Sequence, residues 1–120
     1  MKIRVLVVGC GNMGSSHALA YHNIPEFEIC GIVSPGDSKK RLDVKLGGGH
    51  QLFNDYYEAL ESTKPNAVSI NTYPDTHEAY AITALEAGCH VFIEKHLADT
   101  VEDAERVAAA AKKHNKKLVI

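Results

Sequence analysis

The chain has almost no surplus charge of either sign. Thirteen Lys and Arg stand against fifteen Asp and Glu, a formal net charge of −2. That balance gives no reason to expect nucleic acid as a partner. Long apolar runs are also missing. Nothing in the sequence approaches the ~20 residues that a membrane-spanning helix needs, so no membrane partner is expected. Cysteine is scarce and odd in number. Cys10, Cys30 and Cys89 each lie among apolar neighbours. They read as buried free thiols in a reducing compartment, the cytoplasm, and not as a disulfide framework. Met1-Lys2-Ile3-Arg4 runs straight into an apolar segment, so no signal peptide is expected. There are no repeats, no low-complexity tract and no internal linker.

What is present is ordinary for a folded globule. The composition is 45% hydrophobic and 23% charged over 120 residues. A single domain of that size buries roughly two thirds of its unfolded surface. Strand-like and helix-like segments alternate. Strands are predicted at 3–8, 27–33, 51–53, 67–71, 90–94 and 118–120. Helices are predicted at 13–23, 37 or 38 to 46, 55–62, 75–86 and 100–114. Leu19 is expected in the core on the first helix, and Tyr56, Ala59 and Leu60 on the third. Asp37 or Ser38 is expected to cap the second helix, and Gly47-Gly48-Gly49 to stop it. Thr100, with Asp103 three residues on, has the form of a capping box. Short connections between alternating strands and helices imply a parallel sheet with helices on both faces. Right-handed crossovers then favour the α/β Rossmann-type doubly wound sheet, three layers, strand order 3-2-1-4-5-6.

The first strand ends in Gly9-Cys10-Gly11-Asn12-Met13-Gly14, a G-x-G-x-x-G run. Gly9 allows a tight turn off the strand, Gly11 allows the backbone to approach a pyrophosphate, and Gly14 lets the next helix pack closely. The helix N-terminus would point its free N–H groups at the phosphates. Gly9, Gly11, Asn12, Met13 and Gly14 are therefore candidate cofactor contacts. Two further segments should reach the same crevice at the carboxyl ends of the strands: Asn71-Thr72-Tyr73-Pro74 and Glu94-Lys95-His96. Thr72 and Pro74 are expected to border the cofactor, with Tyr73 covering it. Lys95 reads either as half of a surface ion pair with Glu94 or as a group that holds a substrate oxygen and assists proton transfer. His17 and His77 are expected on helices near the crevice, orienting loops. His22, His50 and His114 are expected to face solvent. The seven histidines show no metal-ligand spacing, so no metal is expected.

These segments together resemble the N-terminal cofactor domain of the glucose–fructose oxidoreductase/inositol dehydrogenase (Gfo/Idh/MocA) family. The glycine run with His17 is similar to the family's opening. Asn71-Thr72-Tyr73-Pro74-Asp75-Thr76-His77 resembles its threonine–proline segment followed by histidine. The stretch from Ala84 through His90-Val91-Phe92-Ile93-Glu94-Lys95 resembles the approach to its Glu-Lys-Pro signature, with His96 standing where the family has proline. The resemblance covers essentially all 120 residues. It implies an NAD(P)-dependent oxidoreductase, moving hydride between nicotinamide and a sugar, cyclitol or related small hydroxy or carbonyl compound. Lys95 would be the catalytic residue, with His77, Glu94, Lys95 and His96 near the cofactor. It also implies a small-molecule substrate held by a C-terminal domain that this chain lacks. A non-catalytic NAD(P)-binding sensor or a degenerate family member is the alternative, favoured by His96.

The residue about 20 positions after Gly14 should hold the ribose of the adenosine half. Here it is Ser34, followed by Lys39, Lys40 and Arg41. Serine does not repel a 2′-phosphate and the lysines could neutralise one, which leans towards NADP. The other reading is a solvated helix face, with Asp37 swinging in to bind NAD. The chain stops at Leu118-Val119-Ile120, in an apolar strand. It is expected to be a fragment with an unprotected edge, inactive alone and prone to self-association as a homo-oligomer.

Overall fold

The computed structural model describes residues 2–10, 12–93 and 98–120. Its elements run β1 (Ile3–Val8), α1 (Asn12–Asn23), β2 (Phe27–Val33), α2 (Ser38–Lys45), β3 (Leu52–Phe53), α3 (Tyr56–Thr63), β4 (Ala67–Ile70), α4 (Pro74–Glu86), β5 (His90–Ile93), α5 (Val101–Lys113) and β6 (Leu118–Val119). The six strands form one sheet of order β3-β2-β1-β4-β5-β6, with every pairing parallel. The predicted Rossmann-type α/β fold is thus the observed one.

Strand β1 sets the layering, because it is apolar on both faces. Val5 and Val7 pack with Ala18 and Tyr21 of α1 and Leu42 of α2. Leu6 and Val8 pack with Tyr56, Ala59 and Leu60 of α3, Ala81 and Leu85 of α4, and Val107 of α5. The sheet order reverses at β1, which lies between β2 and β4. A crevice at the carboxyl ends of these strands is where such a sheet binds ligands.

Several elements differ from the sequence expectation in instructive ways. Leu19 is 36% exposed, while Ala18 and Tyr21 are the buried residues of α1. The helix is rotated so that the Tyr21 hydroxyl reaches Ser69 on β4, at 3.1 Å. Asp37 precedes α2 without a side-chain cap. Its carboxylate pairs with Lys40 instead, at 3.5 Å. Pro74 opens α4, one residue earlier than expected, because proline has no N–H to leave unsatisfied at that place. Only half of the capping box on α5 forms. Thr100 Oγ accepts from the Asp103 N–H at 3.0 Å, but the Asp103 carboxylate turns to the Arg106 guanidinium. Cys10 and Cys89 are buried free thiols, as expected, whereas Cys30 is only partly buried. Burial pushes the Cys89 thiol up to about 11.

His50 is not the solvent-facing residue that was expected, and His114 is also partly buried. The connection from α2 to β3 contains Gly47, Gly48 and Gly49, with φ of 96°, 80° and 86°. Asp43 ties that connection down. Its Oδ1 accepts from the His50 backbone N–H at 3.1 Å and lies 2.7 Å from the ring Nδ1. These two bonds to His50, the side-chain one first, hold the Asp43 carboxyl below the usual carboxylate range. A lowered folded pKa contributes stability above the unfolded value of about 3.9. That stability is lost as pH falls through the folded value. Asp43→Asn should therefore lower Tm at neutral pH and flatten the acid limb of the Tm–pH curve. Parallel acid limbs for the two proteins would refute this role.

Candidate functional site

The glycine turn is built by a close approach between two connections. Gly9 has φ +93°, and a Cβ there would lie 2.5 Å from the Asn71 carbonyl oxygen. The Gly9 N–H donates to Val33 O at 2.9 Å and the Asn71 N–H to Val8 O at 2.8 Å. The ends of β2, β1 and β4 are thereby laced together around the turn. Helix α1 starts there with no acidic residue in its first turn, and neither has α2. Helices α3, α4 and α5 all carry acids in theirs. The positive end of α1 thus carries no acid in its first turn, which suits a phosphate-bearing ligand, while α2 has Asp37 at its N-cap position without a capping hydrogen bond.

At the end of β2, Ser34 is buried and its hydroxyl lies 2.7 Å from that of Ser38. The basic run that follows is split. Lys40 is exposed beside Asp37, and Arg41 is exposed. Lys39 is turned inward and only 7% exposed. Its ammonium donates to the Gly36 carbonyl, and among the described residues no carboxylate pairs with it. Burial raises the Cys10 thiol, while a hydrogen bond to Ser34 and the Lys39 charge pull it down less strongly. The cluster of Cys10, Ser34 and Lys39 thus sits on the β2 side of the crevice. Asp37 is exposed and pairs with Lys40 at 3.5 Å.

On the β4 side, the segment after the strand is pinned. The His77 side chain is fully buried and its Nε2 lies 2.9 Å from Thr72 O. A carbonyl only accepts, so Nε2 carries the hydrogen and donates it. Thr76 Oγ1 donates to Tyr73 O at 2.8 Å and lies 2.6 Å from Thr72 Oγ1. Buried in this way, His77 holds the segment. Tyr73 projects from it, 82% exposed. Asn71 is held from below: its Nδ2 donates to the Ser69 carbonyl at 3.2 Å and Ser69 Oγ at 3.1 Å. Neither Tyr21 nor Ser69 is singled out by the sequence. A tyrosine on the inward face of α1 opposite a serine in an otherwise apolar strand is the signal that could have found them.

Of the residues expected at the site, the structure brings Gly9, Ser34, Lys39, Asn71, Thr72, Tyr73 and His77 to one edge of the sheet. Gly11, Glu94, Lys95 and His96 lie outside the described residues, as do the side chains of Asn12, Met13 and Pro74. Among the described residues, no three His, Cys, Asp or Glu side chains could hold a metal ion, and no helix is long and apolar enough to cross a membrane.

Residues 3–120 match the model of the oxidoreductase family with an NAD-binding Rossmann fold, Gfo/Idh/MocA. Inositol 2-dehydrogenase of Salmonella typhimurium is 32% identical in a match 123 positions long that covers 99% of this chain and 36% of that protein. The chain thus spans about a third of the length of this relative. Scyllo-inositol dehydrogenase from Lactobacillus casei, solved with bound NAD(H) and scyllo-inositol, superposes with a TM-score of 0.90 at 26% identity, over 98% of this chain and 35% of that one. GenD2 from gentamicin A biosynthesis, solved with NAD, gives 0.90 at 28% identity, over 98% of this chain and 34% of its own. The fold of this chain therefore has solved counterparts with bound NAD. This chain belongs to the Gfo/Idh/MocA oxidoreductases, as their NAD-binding Rossmann domain.

Proposed function

We infer that the chain binds NADP(H) in preference to NAD(H), and that it serves an oxidoreductase acting on a sugar, cyclitol or similar small polyol. The observation that carries the cofactor reading is Lys39. An ammonium has three donors, and Lys39 gives one to the Gly36 carbonyl while buried without a carboxylate. A buried cation is costly unless paired, and a 2′-phosphate beside Ser34 would supply the anion. The residue that follows β2 is Ser34 and not an acid, and Asp37 beyond it is exposed and paired with Lys40. The residues of the turn fit the rest of the dinucleotide. Gly9 removes the Cβ that would force the turn away from β4, and the first turn of α1 presents N–H groups to the pyrophosphate.

When bound, the nicotinamide supplies the hydride-accepting or hydride-donating carbon. The chain's own residues bind and orient. Ser34 and Lys39 hold the adenosine half, while the pinned Thr72-Tyr73 segment borders the other. Lys95 is assigned by resemblance to the substrate oxygen, where a lysine polarises a carbonyl or relays a proton. A lysine alone does not bind and position a polyol, so a second domain is inferred to carry the substrate contacts. The polyol reading rests on the inositol dehydrogenases that the chain is similar to.

Calorimetric titration with NADPH and NADH is the direct test. The expected result is saturable 1:1 binding of both, tighter for NADPH. Preference for NADH by about tenfold or more, ~1.4 kcal/mol, would overturn the NADP reading.

A further inference from the structure

We propose that Tyr21, Ser69 and Asn71 form a positioning relay that presents the Asn71 carboxamide oxygen to the ribose on the nicotinamide side of the cofactor. This rests on the dinucleotide reading above and adds to it the residue that recognises the second ribose. The relay starts inside the core. Tyr21 Oη donates to Ser69 Oγ at 3.1 Å, and Asn71 Nδ2 donates to that same oxygen at 3.1 Å. Asn71 Nδ2 also lies 3.2 and 3.4 Å from the carbonyl oxygens of Ser69 and Val8, so its two hydrogens are shared among three acceptors.

The two carbonyls fix which way the carboxamide points. If it were flipped, Oδ1 would face two backbone oxygens and repel both. With Nδ2 inward, the Asn71 donors are all engaged and Oδ1 is the atom left for a ligand. Oδ1 can only accept, so its partner must be a hydroxyl or N–H. Asn71 directly follows β4, beside the Gly9 turn. In this topology the two halves of the sheet take the two mononucleotides. Ser34 and Lys39 at the end of β2 mark the adenosine half, which leaves the β4 end for the nicotinamide half. The donor nearest the pyrophosphate on that side is a ribose hydroxyl.

Tyr21 is held for this task by aromatic packing. Its ring centroid lies 5.5 Å from that of Phe27 and 5.9 Å from that of Phe92. Tyr21→Phe keeps those contacts and removes only the hydroxyl. The test measures the better-bound of NADH and NADPH, and separately ADP, which has both phosphates but lacks the second ribose. Tyr21→Phe should weaken the dinucleotide about three- to tenfold, the worth of one oriented hydrogen bond, and change ADP by less than about twofold. Ser69→Ala, which cuts the relay at its centre, should do the same. A merely structural role would weaken both ligands together. Equal losses for the dinucleotide and ADP, or an unchanged ratio in both variants, would overturn the relay. Failure of the parent chain to bind either ligand would instead overturn the cofactor reading on which it stands.

Discussion

Replacing Gly9 with alanine should cost about 3 kcal/mol of folding stability and abolish dinucleotide binding. Two effects combine. A non-glycine residue at a positive φ of this kind costs about 1–2 kcal/mol, and Gly9 has φ +93°. The added Cβ would then meet the Asn71 carbonyl oxygen at 2.5 Å and its carbon at 2.8 Å. Both are backbone atoms of the β4 end, so no side chain can rotate away. The connections after β1 and β4 must separate, breaking the bonds that Gly9 and Asn71 make to Val33 and Val8. Gly88 is the control. It has φ +88° but nothing within 4 Å of a built Cβ, so Gly88→Ala should show the backbone term alone, about 1 kcal/mol. Urea unfolding of both variants separates the terms. If Gly9→Ala is no less stable than Gly88→Ala, the close approach to β4 does not matter.

This contact shows where the sequence was legible and where it was not. The G-x-G-x-x-G run announced a tight turn, and the turn is there at Gly9. What the run did not show is that Gly9 makes room for Asn71, a residue 62 positions away in the chain. Pairing between β1 and β4 creates that proximity, and no local pattern encodes it. The sheet order, by contrast, was readable. β1 is apolar on both faces, the segments alternate, and right-handed crossovers leave few topologies.

Helices were read well in extent and less well in rotation. Leu19 and Ala18 are adjacent, and hydrophobicity favours Leu19 as the core residue. The Tyr21–Ser69 bond and the aromatic packing of Tyr21 decide otherwise, and both are tertiary. On α2 the signal was present but masked by charge. Lys39 and Leu42 are the buried residues of that helix, with Leu46 buried just after it. They stand at i, i+3 and i+7, a stripe on one helical face. A lysine on such a stripe reads as solvated from its charge, although its four-carbon stem suits burial. The same ambiguity applied to Asp37, whose exposed pairing with Lys40 is a contact between side chains three apart.

Lys39 is therefore the residue whose replacement should change function most at least structural cost. Lys39→Met keeps the length and apolar stem and removes the ammonium. NADPH affinity should fall about 10- to 100-fold, ~1.4–2.8 kcal/mol, while NADH should change by less than about threefold. Stability should hold or rise, since the variant no longer buries an unpaired charge. A lysine retained only to tie α2 to the Gly36 turn would behave in the opposite way, with a lower Tm and equal losses for both cofactors. Ser34→Asp approaches the same site from the other side. Ser34 is buried within hydrogen-bonding distance of Ser38 and beside the Cys10 turn. A carboxylate there would repel a 2′-phosphate and accept from a 2′-hydroxyl, moving the preference towards NADH by about 1–3 kcal/mol. The two single changes should accordingly shift the NADPH/NADH ratio in the same direction through separate contacts. A Lys39→Met protein that retains the parent's ratio would show that the ammonium does not meet the 2′-phosphate.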